Sequence, residues 1–101
     1  MSGGAAWQTV QSTSFSATVK YGYFVNTTSV AITCTLPASP TIGDFISFID
    51  YSGTFQTNNF TVARNGNKIQ GDASDLTVAT QRAGFTLVYV DSTQGWLLQN
   101  N

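Results

Sequence analysis

The chain has no histidine and no glutamate, so its five acidic residues are all aspartate. Histidine is the commonest general base near neutral pH and, with cysteine, the usual zinc ligand; its absence removes most routes to proton transfer and metal catalysis. One cysteine, Cys34, cannot close a disulfide within the chain, and nothing requires an oxidising compartment. Charged residues make up 9% of the 101 residues, where an ordinary soluble domain has roughly a quarter. The four cations, Lys20, Arg64, Lys68 and Arg82, form no basic cluster, and the net charge is −1, which argues against nucleic acid as a partner. No stretch nears the roughly 20 apolar residues of a membrane helix, and residues 1–4 do not open a secretory signal. The expectation is a soluble protein of cytoplasmic synthesis that engages neither membrane nor nucleic acid. The glycosylation tripeptides at Asn26 and Asn59 then read as ordinary turn and strand residues.

What remains is 42% hydrophobic residues set among Ser, Thr, Asn, Gln and Gly. A polar but uncharged surface repels its own copies little, so it tolerates crowded assembly. The length fits one domain with one core.

Val, Ile, Thr and aromatics dominate, and no apolar stripe of helical period is long enough for a helix. Residues 1–10 read as a flexible N-terminal arm in which a first extended segment starts near Trp7, and residues 11–101 as the domain. Extended segments follow at 15–21 and 23–26, divided by a bend at Gly22. Over residues 30–36, Val30, Ile32, Cys34 and Leu36 alternate with smaller residues, placing Cys34 on the inward face. Residues 45–51 and 85–91 carry apolar groups on both faces. Such strands lie in the middle of a sandwich or turn their outer face to another subunit. Asn65-Gly66 predicts a tight hairpin turn from residues 60–64 into a returning strand at 67–71. Residues 76–80 and 96–98 complete the set, with 92–95 as the last hairpin loop. About eight short strands in one domain need two packed layers, and the expected fold is a single antiparallel β-sandwich of jelly-roll type.

Candidate chemistry is thin. Asp44 with Asp50, and Asp72 with Asp75, are the only carboxylate pairs to weigh for sugar hydrolysis, and local backbone capping is the better reading of both. Asn65, Asn67, Asp72 and Asp75 could offer oxygens to calcium but lack the spacing of a calcium loop. No enzyme activity, cofactor or metal is expected. Trp7, Tyr21, Tyr51, Tyr89 and Trp96 could stack on sugar rings, although most aromatics of a small β-domain are core. Trp7 stands apart because its arm promises no cover from the domain, which makes it a candidate anchor for a partner. With Val10, Phe15, Tyr21 and Tyr51 it forms the expected partner interface.

Several segments, in order, resemble a β-sandwich module of virion proteins of tailed bacteriophages. They are YFVNTT at 23–28, VAITCTLPASP at 30–40, Gly43-Asp44 before an apolar strand, and DYSGTF at 50–55. TNNFTV at 57–62, RNGNKIQG at 64–71 and LVYVD at 87–91 with Gly95-Trp96 continue the series. The likeness covers about the last three quarters of the chain, and its specificity lies in the order of the pieces. It implies a capsid decoration or cement protein on the outside of the shell, trimeric as such proteins commonly are, bracing neighbouring major capsid subunits. The alternative implied is a tail-fibre or head-fibre component, with the loops of residues 51–59 facing a host receptor or glycan.

Overall fold

The computed structural model describes residues 4–99. Residues 1–3 of the expected arm and 100–101 of the expected domain lie outside the described residues. Nine strands form: β1 (Ala6–Trp7), β2 (Phe15–Ser16), β3 (Tyr21–Val25), β4 (Ile32–Thr35), β5 (Phe45–Asp50), β6 (Phe60–Ala63), β7 (Leu76–Val78), β8 (Gly84–Asp91) and β9 (Gly95–Gln99). There is no helix among the described residues. The all-β, two-layer expectation holds.

The expected antiparallel pairing is corrected. One sheet runs β1-β3-β5-β8-β9 and the other β2-β4-β6-β7, and both are mixed. Four of the seven pairings are parallel, β1 with β3, β3 with β5, β2 with β4 and β4 with β6. The reason lies in the winding: each of the first six strands crosses to the opposite sheet from its predecessor. Neighbours within a sheet are therefore alternate strands that run the same way, and the intervening strand serves as the crossover a parallel pair requires. Only the last three strands pair antiparallel, β7 on β6, β8 on β5 and β9 on β8. These registers do not give the succession of antiparallel Greek keys that a jelly-roll is built from.

The period-two faces meet between the sheets. Tyr23, Val25, Ile46, Phe48, Phe85, Leu87, Tyr89 and Trp96 from one layer pack with Ile32, Cys34, Phe60 and Val62 from the other. Aromatic rings link the layers: Phe48 lies 5.1 Å from Phe60, which lies 5.2 Å from Phe55. Cys34 is inward as expected, and burial pushes its thiol up to about 12, opposed by a hydrogen bond with the Ala17 backbone. Both β5 and β8 are interior strands of the five-stranded sheet.

Two local expectations change. Gly22 does not break the chain but lies inside β3, and the Asn65-Gly66 turn does not lead into a paired strand. Asn65 and Gly66 take the positive φ angles of a hairpin turn, 51° and 91°. Residues 67–71 then leave the sheet and cover the edge of β9: Gln70 N–H donates to the Trp96 carbonyl, and Gln70 Oε1 accepts from Leu98 N–H at 3.0 Å. The antiparallel partner of β6 is β7 instead. Gly95 makes that packing possible, because a Cβ there would collide with the carbonyl of Lys68, and its φ is +74°.

Candidate functional site

Four of the five aspartates, Asp44, Asp50, Asp75 and Asp91, accept hydrogen bonds from the chain's own backbone. Asp50 is 1% exposed at the end of β5. Its Oδ1 accepts from Gly53 and Thr54 N–H at 2.9 and 3.1 Å, and its Oδ2 from Phe55 and Arg82 N–H at 3.2 and 3.0 Å. Four amide dipoles thus stand where a counter-ion would, and the carboxylate ties two loops to one strand. Asp44 Oδ2 accepts from Thr41 N–H at 2.8 Å at the other end of β5. A six-residue strand, roughly 20 Å at about 3.3 Å per residue, separates the two, too far for paired carboxylates to share one glycosidic bond. Asp75 Oδ1 accepts from Arg64 N–H at 3.0 Å. The Asn65 and Asn67 amides donate to the carbonyls of Leu36 and Ala38, at 3.0 and 3.2 Å. No group of three or more Cys or Asp side chains converges among the described residues.

The loop of residues 51–59, weighed for glycans, is folded on itself in the same way. Asn58 donates to the Thr27 carbonyl at 2.9 Å, Asn59 to the Phe55 carbonyl at 2.6 Å, and Phe55 is buried. What it turns outward is the ring of Tyr51 together with Gln56 and Thr57.

The two outer faces of the sandwich differ sharply. On the four-stranded sheet the outward positions are Ser16, Thr33, Thr35, Thr61, Ala63 and Thr77. Register sets Thr33, Thr61 and Thr77 in one row, and Ser16, Thr35 and Ala63 in the next. That face is a field of hydroxyls.

On the five-stranded sheet the outward positions form three rows across the strands. Phe45, Val88 and Leu97 make one apolar row, and Phe24 and Ile49 with Gly84 make another. Between them run Trp7, Gly22, Ser47, Thr86 and Gln99. None of these side chains is charged. Ser47 and Thr86 share a hydrogen bond of 2.8 Å, so the central row satisfies its own hydroxyls. Because Gly22, Ser47 and Thr86 are small, the central row is a trough. Two shallow hollows of about 190 and 380 Å³ lie along it, both touching Ser47, Thr86 and Gln99.

Trp7 closes one end of that trough. Its ring stacks on Phe24 at 4.8 Å and lies directly over Gly22, where a Cβ would sit 2.6 Å from ring carbons. The domain therefore does give Trp7 a seat, while leaving it 43% exposed. Of the other expected interface residues, Phe15 belongs to the opposite sheet and turns inward onto Tyr23 at 4.8 Å. Val10 follows β1 and is exposed, Tyr21 is exposed with its ring 6.3 Å from Tyr23, and Tyr51 stands beyond the end of β5. These do not gather with Trp7 into one patch. Tyr89 and Trp96, weighed for sugar stacking, are core.

Phe24, Phe45, Ile49, Val88 and Leu97 were not picked out individually from sequence. Their signal was the two-sided apolar pattern of β5 and β8, whose outer side meets only Trp7 and the Gly4–Ala5 segment among the described residues. Comparison of the sequence with protein-family models and with curated proteins finds no match.

Proposed function

We propose that this protein is a structural component of a tailed-bacteriophage virion, a capsid decoration or cement protein bound outside the shell that braces neighbouring major capsid subunits. The ordered segments from YFVNTT to Gly95-Trp96 carry the resemblance on which the virion assignment rests. The structural observation that supports it best is the contrast of outer faces: one sheet offers a charge-free apolar surface, the other a hydroxyl surface suited to water. A protein with four of its five aspartates committed to its own loops and one dry face is equipped to adhere. Many copies on a symmetric shell add modest contacts, so no single interface has to be strong. Its partners in this reading are the major capsid protein and sister copies, and its location is the capsid surface.

Copy number in purified virions, by quantitative mass spectrometry against the major capsid protein, tests the assignment. A count comparable with the major capsid protein is expected. A few copies per particle would move the protein to a tail or head fibre, where a glycan array with Tyr51→Ala as control becomes the next experiment.

A further inference from the structure

The two layers are unequal in strand number, and the mismatch shows in the packing beside β7, the last strand of the smaller sheet. Along its free edge lies a hollow of about 550 Å³, walled by Leu76 and Val78 of β7, Phe85 of β8 and Leu98 of β9. Phe85 is buried, while Leu76, Val78 and Leu98 are half-buried. The core thus reaches solvent here, where a fifth strand of the smaller sheet would lie. Arg82 is the one charged residue among the described residues of the wall, and its guanidinium donates to the Tyr51 carbonyl at 2.9 Å.

The edge itself is ready to pair. Leu36 N–H donates to the Ala63 carbonyl, so Ala63 and, by alternation, Thr61 turn their backbone groups to β4. Phe60 and Val62 therefore face β7 and bond Val78 and Leu76 opposite them. Thr77, between these two, sends both its N–H and its C=O outward, away from β6. Ala79, two residues on, has no backbone partner among the described residues. The other edges are managed differently: β9 is covered by residues 67–71, and β1 and β2 are two residues long. β7 carries neither a proline nor a charge to turn a neighbour away.

We propose that β7 takes up an extended segment of a partner protein, which adds a fifth strand to the smaller sheet and turns alternate apolar side chains into the hollow. A segment of five residues at about 3.3 Å each, about 4.8 Å wide and about 10 Å from the facing layer sweeps on the order of 400–800 Å³, which brackets the hollow. Its inward residues meet apolar walls, so they are uncharged and of valine or leucine size. A compact small molecule could fill the space but would leave the outward amide and carbonyl of Thr77 without the strand they are spaced for. A second copy pairing β7 to β7 would leave both hollows open, because Leu76 and Val78 of each copy already pack against its own core. The inference stands apart from the virion reading, since it rests on the edge and the hollow alone.

The test titrates the peptide acetyl-KTVTVTVTK-amide into the full chain and follows amide chemical shifts by NMR. Saturable shifts centred on residues 76–85 and Leu98 are expected below about 1 mM peptide. Two further peptides, N-methylated at the valines or at the threonines, separate strand pairing from apolar adhesion, because alternate amides of a strand face opposite edges. One of them should bind about tenfold more weakly or worse and the other as before. Loss with the threonine set marks antiparallel addition, and loss with the valine set parallel addition. Thr77→Pro, which removes an outward N–H and none of the bonds to β6, should weaken the unmodified peptide by about tenfold or more. Thr35→Lys, two strands away, should not. The N-methylated pair needs no variant, so a Thr77→Pro chain that fails to fold leaves the decision to those peptides. No saturable shift, shifts centred elsewhere, equal affinity for the two N-methylated peptides, or a dimer of the chain that the peptide dissociates would overturn the proposal. None of these results bears on the virion reading, which copy number decides.

Discussion

The two sheets of this sandwich share one core and the same period-two grammar, yet their outer faces are opposites. On the four-stranded sheet, threonine occupies most outward positions, a β-branched residue that fits a strand while keeping a hydroxyl in water. On the five-stranded sheet, apolar groups stand on both sides of β5 and β8, and only the inner side packs against the other sheet. Strand propensity is met equally in both. Strand propensity therefore does not account for one wall being dry and the other wet.

The comparison can be broken hardest at Asp50. Asp50→Ala leaves four amides without their acceptor, two of them in buried residues, and frees both loops from β5 of the dry sheet. A loss of about 3–5 kcal/mol is expected in urea unfolding, enough to unfold a large fraction of the protein. Asp75→Ala, which removes one acceptor beside the hydroxyl sheet, should cost only about 1 kcal/mol in the same assay. Equal losses would mean that Asp50 is not the keystone the geometry makes it.

Gly22→Ala tests how the dry face is completed. The added methyl must expel Trp7 from its seat, at about 1–3 kcal/mol. Trp96 is buried and should keep its emission, so the red shift on substitution reports Trp7 alone. An unchanged spectrum would mean that the ring does not rest on Gly22.

Cys34 probes the core common to both sheets. Its thiol is held protonated up to about pH 12 in the folded chain but ionises near 9.0 once unfolded. The unfolded state therefore loses the proton first, and stability should fall as pH rises above 9. Urea midpoints at pH 8 and pH 10 measure this, and thiol reagents should label Cys34 only after unfolding. The smallest effect is expected at the wet face: Thr61→Val should shift stability by no more than about 0.5 kcal/mol while removing a hydroxyl from the centre of its row.

Much of the fold was legible because side-chain alternation is a local signal. Inward Cys34, the last hairpin and the two-sided strands β5 and β8 follow from residues within a few positions of one another. Winding was not legible, because alternation says which way a side chain points and not which strand lies beside it or in what direction. Thus Asn65-Gly66 formed its turn without its hairpin, and Gly22, read as a bend, is a seat for a ring fifteen positions earlier. The candidate face was half visible: the sequence displayed apolar outer positions on β5 and β8, but their alignment into two apolar rows flanking a trough required the register. Trp7 was singled out for want of a neighbour, and its neighbours turned out to be Phe24 and Gly22 of a strand that alternation alone could not place beside it.

The alternation of the first six strands between sheets also fixes a timetable. No two consecutive strands among them pair with each other, so the N-terminal half forms no local hairpin. β8 and β9, joined by a short turn, can close within their own neighbourhood, and β5 gains its second partner only when β8 arrives. Closing long loops before any pairing rewards them slows folding, so this chain should fold late and from its C-terminal end inward. On the ribosome, the five-stranded wall would stay unfinished until β8 and β9 had both emerged.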